Sequence, residues 1–177
     1  MSEKKSTIYS KTRFFFDSSS AFALIDCGYL HRFIDLIPDF CITTSVQSEL
    51  TEKDTLAKKI ILECVSSGNI RIIHPKTVKK ARWDEYRALG LHTGEISILL
   101  TARKKQDVVV FDDLVARSVA RAEGFLLTGL LGILVKLRKT SRISKKEALS
   151  ILSALNQTNF RMSSALFESI FQKLSEK

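Results

Sequence analysis

Two short runs constrain this chain most: "RFFF" at residues 13–16 and "DVVVF" at 107–111 each follow one charged residue with apolar residues in unbroken succession. A strand with one wet face alternates apolar and polar residues, so a continuous run of this length predicts a strand covered on both faces. "NIRII" (69–73) and "FLLTG" (125–129) read as shorter strands of the same sheet. Helical stretches lie between them: "SSAFALIDCGYLHRFIDLI", "SVQSELTEKD", "TLAKKIILECVSSG", "ARWDEYRAL", "GEISILLTARKK", "LVARSVARAEG" and "LLGILVKLRKT". This alternation predicts an α/β domain with a central, mostly parallel β-sheet flanked by α-helices on both faces.

Beyond residue 143 the pattern turns to helix alone. Ser144 with Glu147 three residues on fits a capping box, and "SSALFESIFQKL" puts Leu166, Phe167, Ile170, Phe171 and Leu174 on one stripe. The expected organisation is a polar segment at 1–12 and one domain over 13–177, its helical C-terminal tail running from about 144 to 177. The stripe is expected to pack on the body, with a protein-binding surface as the alternative.

No apolar run approaches the roughly 20 residues that cross a bilayer, and "MSEKKSTIYSKTR" lacks the apolar core of a secretory signal. A cytoplasmic protein without a membrane partner is expected. Cys27, Cys41 and Cys64 are an odd set at wide spacing, suited to reduced thiols filling a core. Lys and Arg total 28 against 19 Asp and Glu, a formal charge of +9 that favours a polyanionic partner, nucleic acid above all.

In an open parallel sheet, ligands bind beyond the carboxyl ends of the strands, and the acids of this chain gather there. Asp17 follows "FFF" directly and Asp112 with Asp113 follows "VVVF". Glu95 opens the helix "GEISILLTA" behind Thr93 as a possible N-cap, and Glu49 lies in the early part of the helix "SVQSEL". Singly these acids have plain explanations: Asp17 as a helix cap, Glu95 as a first-turn acid meeting the helix dipole, Glu49 as a solvent-facing residue. Two adjacent aspartates at the end of a buried strand are harder to explain, because each raises the cost of ionising the other. Their positive partner is either Arg117, four residues beyond Asp113, or a hard divalent cation, which prefers oxygen ligands.

The ordered set "FFFDSSSAFALI", "ITTSVQSEL", "LHTGEISILLTA", "VVVFDDLVARSVARAEG", "TGLLGIL" and "NFRMSSALFESIFQKL" resembles the PIN-domain ribonuclease family, specifically its VapC-like toxin branch, found beside small antitoxins in archaea and bacteria. The resemblance spans roughly residues 13–174. It implies a PIN-like fold and cleavage of single-stranded RNA dependent on Mg2+ or Mn2+. By motif, the family's acids fall on Asp17, Glu49, Glu95 and the Asp112/Asp113 pair, with Asp113 favoured by its spacing to Ala120 and Gly124. Asp17, Glu95, Asp112 and Asp113 become the expected metal ligands, and the hydroxyl of Ser18 or Ser19 is expected to help position metal or phosphate. Arg117 and Arg121 are weaker candidates for substrate contact, and an antitoxin partner and a homodimer are expected by resemblance alone. Two departures stand out: Ser97 occupies the place where a second acid often follows the one at Glu95, and the glycine–threonine turn reads in inverted order as Thr128–Gly129.

Other chemistries find no support in the same residues. His31, His74 and His92 form no HExxH pair, and the seven glycines form neither GxGxxG nor GxxxxGK[ST]. No serine sits in GxSxG. The remaining alternative is a catalytically idle PIN-like module that binds RNA or protein; loss of an acid would be its signature, and here every acid position is filled.

Overall fold

The computed structural model describes residues 12–75 and 79–176. The polar segment expected at 1–12 therefore lies, apart from Thr12, outside the described residues.

The described residues form five strands, β1 (Phe14–Phe16), β2 (Phe40–Thr43), β3 (Arg71–Ile73), β4 (Val108–Val110) and β5 (Leu126–Thr128), in one sheet of order β3-β2-β1-β4-β5. Every pairing is parallel. Ten helices connect and follow them: α1 (Ser18–Asp26), α2 (Leu30–Leu36), α3 (Thr44–Thr51), α4 (Leu56–Ser66), α5 (Lys80–Ala88), α6 (Thr93–Thr101), α7 (Leu114–Ala122), α8 (Leu130–Lys139), α9 (Lys145–Asn156) and α10 (Ser164–Ser175). The expected α/β architecture and helical C-terminal tail are both present.

The continuous apolar runs became central strands for the reason that predicted them. Phe15, Phe16, Val109 and Val110 have no exposed surface, and β1 and β4 lie side by side with Phe14, Phe15 and Phe16 against Val108, Val109 and Val110. Strand β2 was not expected. Its four residues follow Pro38 and Asp39 and run directly into α3, so no polar spacer marks where one period gives way to the other. The sheet supplies what the local pattern lacks: all four residues are buried, and the Phe40 ring stacks on Phe16 at 3.8 Å between centroids. The long stretch read as one helix over 19–37 is two, parted at Gly28, whose φ of +78° a residue with a Cβ rarely adopts.

A buried carboxylate ties β4 to the start of β1. Asp107, wholly buried, accepts from Arg13 at 2.5 and 3.1 Å and from Arg103 at 2.8 Å. Burial alone would raise its pKa, but the bonds from Arg103 and Arg13 hold it well below the usual carboxylate range. In the tail, Ser144 accepts from the Glu147 amide as a cap should, while the Glu147 carboxylate pairs with Arg32 and fastens α9 to α2. Helix α10 packs on α9 and α8 through buried Ile170 and Leu174, leaving Leu166 and Phe171 exposed.

Candidate active site

Parallel order with β1 in the centre brings the carboxyl ends of β1 and β4 to one edge, where the next helices begin. Asp17 ends β1 as the N-cap of α1, and its Oδ1 accepts from the Ser20 amide at 2.8 Å. The three serines that follow then divide three acids among them. Ser18 Oγ donates to Glu49 Oε2 at 2.6 Å, Ser19 Oγ to Asp17 Oδ2 at 3.0 Å, and Ser20 Oγ to Asp112 Oδ2 at 3.0 Å. Successive positions in a first helical turn point about 100° apart, so one short run of hydroxyls reaches acids borne by three different segments.

Each of the other acids is also held by a helix start. Glu49 lies near the end of α3, not early in it, and its Oε1 accepts from the Gly94 amide at 2.9 Å. Asp112 receives the Leu130 amide of α8 at 3.2 and 3.3 Å through its two oxygens. Glu95, almost wholly buried, reaches back to the His92 amide at 2.8 Å; His92, not Thr93, is the N-cap of α6. Asp113 is exposed and caps α7 through Oδ1, which accepts from Val115 and Ala116 at 2.8 and 3.0 Å. The plain explanations for Asp17 and Glu95 thus hold together with the clustered arrangement.

Two glycines make room for this. A Cβ on Gly129 would stand 2.4 Å from Asp112 Oδ1, and one on Gly94 would stand 2.8 Å from Glu49 Oε2. In the inverted Thr128–Gly129 order it is therefore the glycine that meets the acid. Neither close approach was visible in the sequence, nor was the part played by Ser20. The signal for Ser20 lay in "DSSS" itself: the third residue after an N-cap aspartate returns its amide to that carboxylate.

The electrostatics run one way. Burial, with repulsion from Asp112 added, pushes Asp17 up to about 7 despite its bonds from Ser20 and Ser19. Burial likewise raises Glu95, with Asp113 and Glu49 adding repulsion, and burial raises Asp112. Asp112 therefore acts on Asp17 and Asp113 on Glu95, so the adjacent aspartates serve different halves of the edge. The Arg117 guanidinium does not pair with the Asp113 carboxylate as the spacing allowed; its Nη1 donates to the Phe111 carbonyl at 2.7 Å, from where its charge partly offsets the burial of Asp112. Arg121 is exposed in the last turn of α7, away from the start of that helix, where Asp113 lies.

A five-stranded parallel sheet with acids from four segments on its carboxyl edge is the arrangement expected of the resembled family, and a family model described as "DUF3368: PIN domain" matches residues 13–176. The chain belongs to the PIN-domain family. No curated protein and no solved structure matches it. PIN domains are generally nucleases, which makes this a nuclease-type fold and places its chemistry, at the coarse level, among the hydrolases. No helix among the described residues is long and apolar enough to cross a membrane.

The donor set of this PIN domain is oxygen throughout: carboxylates and serine hydroxyls. Among the described residues, no three Asp, Glu, His or Cys side chains stand close enough to enclose a metal ion by themselves. Oxygen donors are the kind a hard cation prefers, and such an ion commonly keeps several waters and takes only one or two carboxylates, with substrate phosphate completing its shell. His31 instead faces the Cys64 thiol at 3.9 Å.

Proposed function

We propose that this PIN domain is a metal-dependent endoribonuclease that cuts single-stranded RNA, with Mg2+ or Mn2+ held at the acid edge. The observation that carries the reading is the Asp17–Ser20–Asp112 bridge, a buried and a half-buried carboxylate sharing one residue, with no basic side chain among the described residues bonded to either. Like charges in a low-dielectric site cost free energy until a cation offsets them. Asp17 and Asp112 would hold the ion, with Asp113 and Glu95 as further ligands through water. When bound, the ion supplies a Lewis acid for phosphoryl oxygens and lowers the pKa of a water for in-line attack.

The chain's own residues do the rest. Ser18 and Ser19 orient Glu49 and Asp17 by direct hydrogen bonds. Glu49, tied to the Gly94 amide, lies beside Glu95, the next residue of α6, and one of the two carboxylates accepts the proton of the attacking water. Arg117 at the start of α7 contacts the scissile strand, with Arg121 a turn farther on. The net charge of +9 supports a polyanionic substrate. A toxin-type role, with a protein antitoxin covering the edge, a homodimeric assembly and a cytoplasmic setting, belongs to the same proposal on the strength of the resemblance.

The test is cleavage of a mixed-sequence single-stranded RNA by the purified protein with Mg2+, with Mn2+ and with chelator, beside Asp17→Asn. Metal-dependent cutting that the variant lacks supports the assignment. A wild type that neither cuts nor binds metal would leave the acids as helix caps and the chain as an idle binding module.

A further inference from the structure

Behind the acid edge two buried hydroxyls meet. Thr43 Oγ1 and Ser97 Oγ are 2.5 Å apart, and neither residue has exposed surface. A hydroxyl has one proton to give. Ser97 gives its proton to the Gly94 carbonyl at 2.6 Å, so the proton between the two hydroxyls comes from Thr43. Thr43 Oγ1 in turn accepts from the Val46 amide at 3.3 Å as the N-cap of α3. The bonds therefore run in one direction, from the Val46 amide through Thr43 and Ser97 to the Gly94 carbonyl.

Gly94 closes the circuit. Its amide donates to Glu49, and Glu49 rides on α3, the helix that Thr43 caps. Helices α3 and α6 are thus joined twice, by Thr43 and Ser97 behind the edge and by Glu49 and Gly94 at it. The next residue of α6 is Glu95. Ser97 itself, at the place where the resembled family often carries a further acid, is turned toward the end of β2.

We infer that Thr43 and Ser97 are positioning residues whose hydroxyl relay fixes α3 against α6 and so sets Glu49 relative to Glu95. The inference rests on the reading of the acid edge as a metal-dependent nuclease site. The pair also contributes to stability, because Thr43 caps α3 through the Val46 amide and losing such a cap weakens the start of the helix. What an apolar pair does not supply is register: packing tolerates a slide of a few tenths of an ångström along the helices that a directed chain of short hydrogen bonds resists. Partners that orient metal-site residues from behind are worth about ten- to a hundredfold in affinity or activity.

The experiment titrates Mn2+ into the full-length chain, reading free Mn2+ by electron paramagnetic resonance, and measures kcat and KM on RNA. Thr43→Val and Ser97→Ala are each expected to keep the cooperative melt, to weaken Mn2+ binding about ten- to a hundredfold and to lower kcat with little change in KM. Thr43→Ser, which keeps the hydroxyl, is expected to match the wild type. The double variant should be no worse than either single, as for two links of one chain. Ser97→Ala carries the test if Thr43→Val does not fold. Unchanged Mn2+ affinity in the folded variants, or Thr43→Ser as harmful as Thr43→Val, overturns the relay alone. A wild type with neither Mn2+ affinity nor cleavage overturns the nuclease reading and the relay with it.

Discussion

Ser20 joins Asp17 to Asp112: its amide donates to the first carboxylate at 2.8 Å and its hydroxyl to the second at 3.0 Å. One residue of α1 thereby couples the ends of the two central strands. Ser20→Ala keeps the amide bond that caps α1 and loses only the hydroxyl bond to Asp112. The expected result is a folded protein with Mn2+ affinity and kcat reduced about tenfold, read by metal titration and RNA cleavage. An unchanged variant would reduce Ser20 to a packing residue.

The adjacent aspartates should separate by function. Asp112 is half-buried beside Asp17, whereas Asp113 is exposed and spends an oxygen on two amides of α7. Asp112→Asn is expected to lose cleavage outright. Asp113→Asn, which still caps, should retain a measurable fraction, and Asp113→Ala should add a stability loss of about 1 kcal/mol. Thermal melts beside cleavage rates distinguish the two effects, and equal activity losses for both Asn variants would refute the division.

Burial gives Asp17 a signature in pH. Its folded pKa stands near 7, above the ordinary 3.8, so between those values the folded chain binds the proton that the unfolded chain has released. Stability without metal therefore falls as pH rises through that window. Added Mn2+ should reverse the trend, because it binds the deprotonated form. At pH 8 without metal, Asp17→Asn should gain up to about 4 kcal/mol, roughly 8–16 °C in Tm for a domain of this size. Melting curves from pH 4 to pH 8 with and without Mn2+ test all of this, and a metal-free Tm that rises across the window, apart from other titrating groups, would contradict it.

Gly129→Ala isolates close approach from backbone freedom. Gly129 has φ −117°, open to any residue, so the cost comes from the added carbon 2.4 Å from Asp112 Oδ1 and 2.9 Å from the Arg117 guanidinium. Both neighbours are side-chain ends that can swing away. The fold should hold, with a Tm loss of a few degrees at most, while displaced Asp112 costs at least tenfold in Mn2+ affinity. A crystal structure of the variant showing Asp112 unmoved would remove the basis of this expectation.

Sequence by itself determined the layer architecture and the chemistry available to it. Uninterrupted "FFF" and "VVV" could only be strands buried on both faces, and the acids that follow them had to emerge at the carboxyl edge, since a parallel sheet sends every such end the same way. Caps at Asp17 and Ser144 were equally local, each depending on three or four neighbouring residues. Tertiary structure alone decided strand β2, whose four residues carry no boundary of their own and become a strand by pairing with β1 and β3. It also decided which acid each of Ser18, Ser19 and Ser20 serves, that a Cβ at Gly94 or Gly129 would press on Glu49 or Asp112, and that Asp112 and Asp113 face different partners. The Ser18–Glu49, Gly94–Glu49 and Ser20–Asp112 bonds join residues 31 to 92 positions apart, across helix starts that only the packed sheet brings within hydrogen-bond reach.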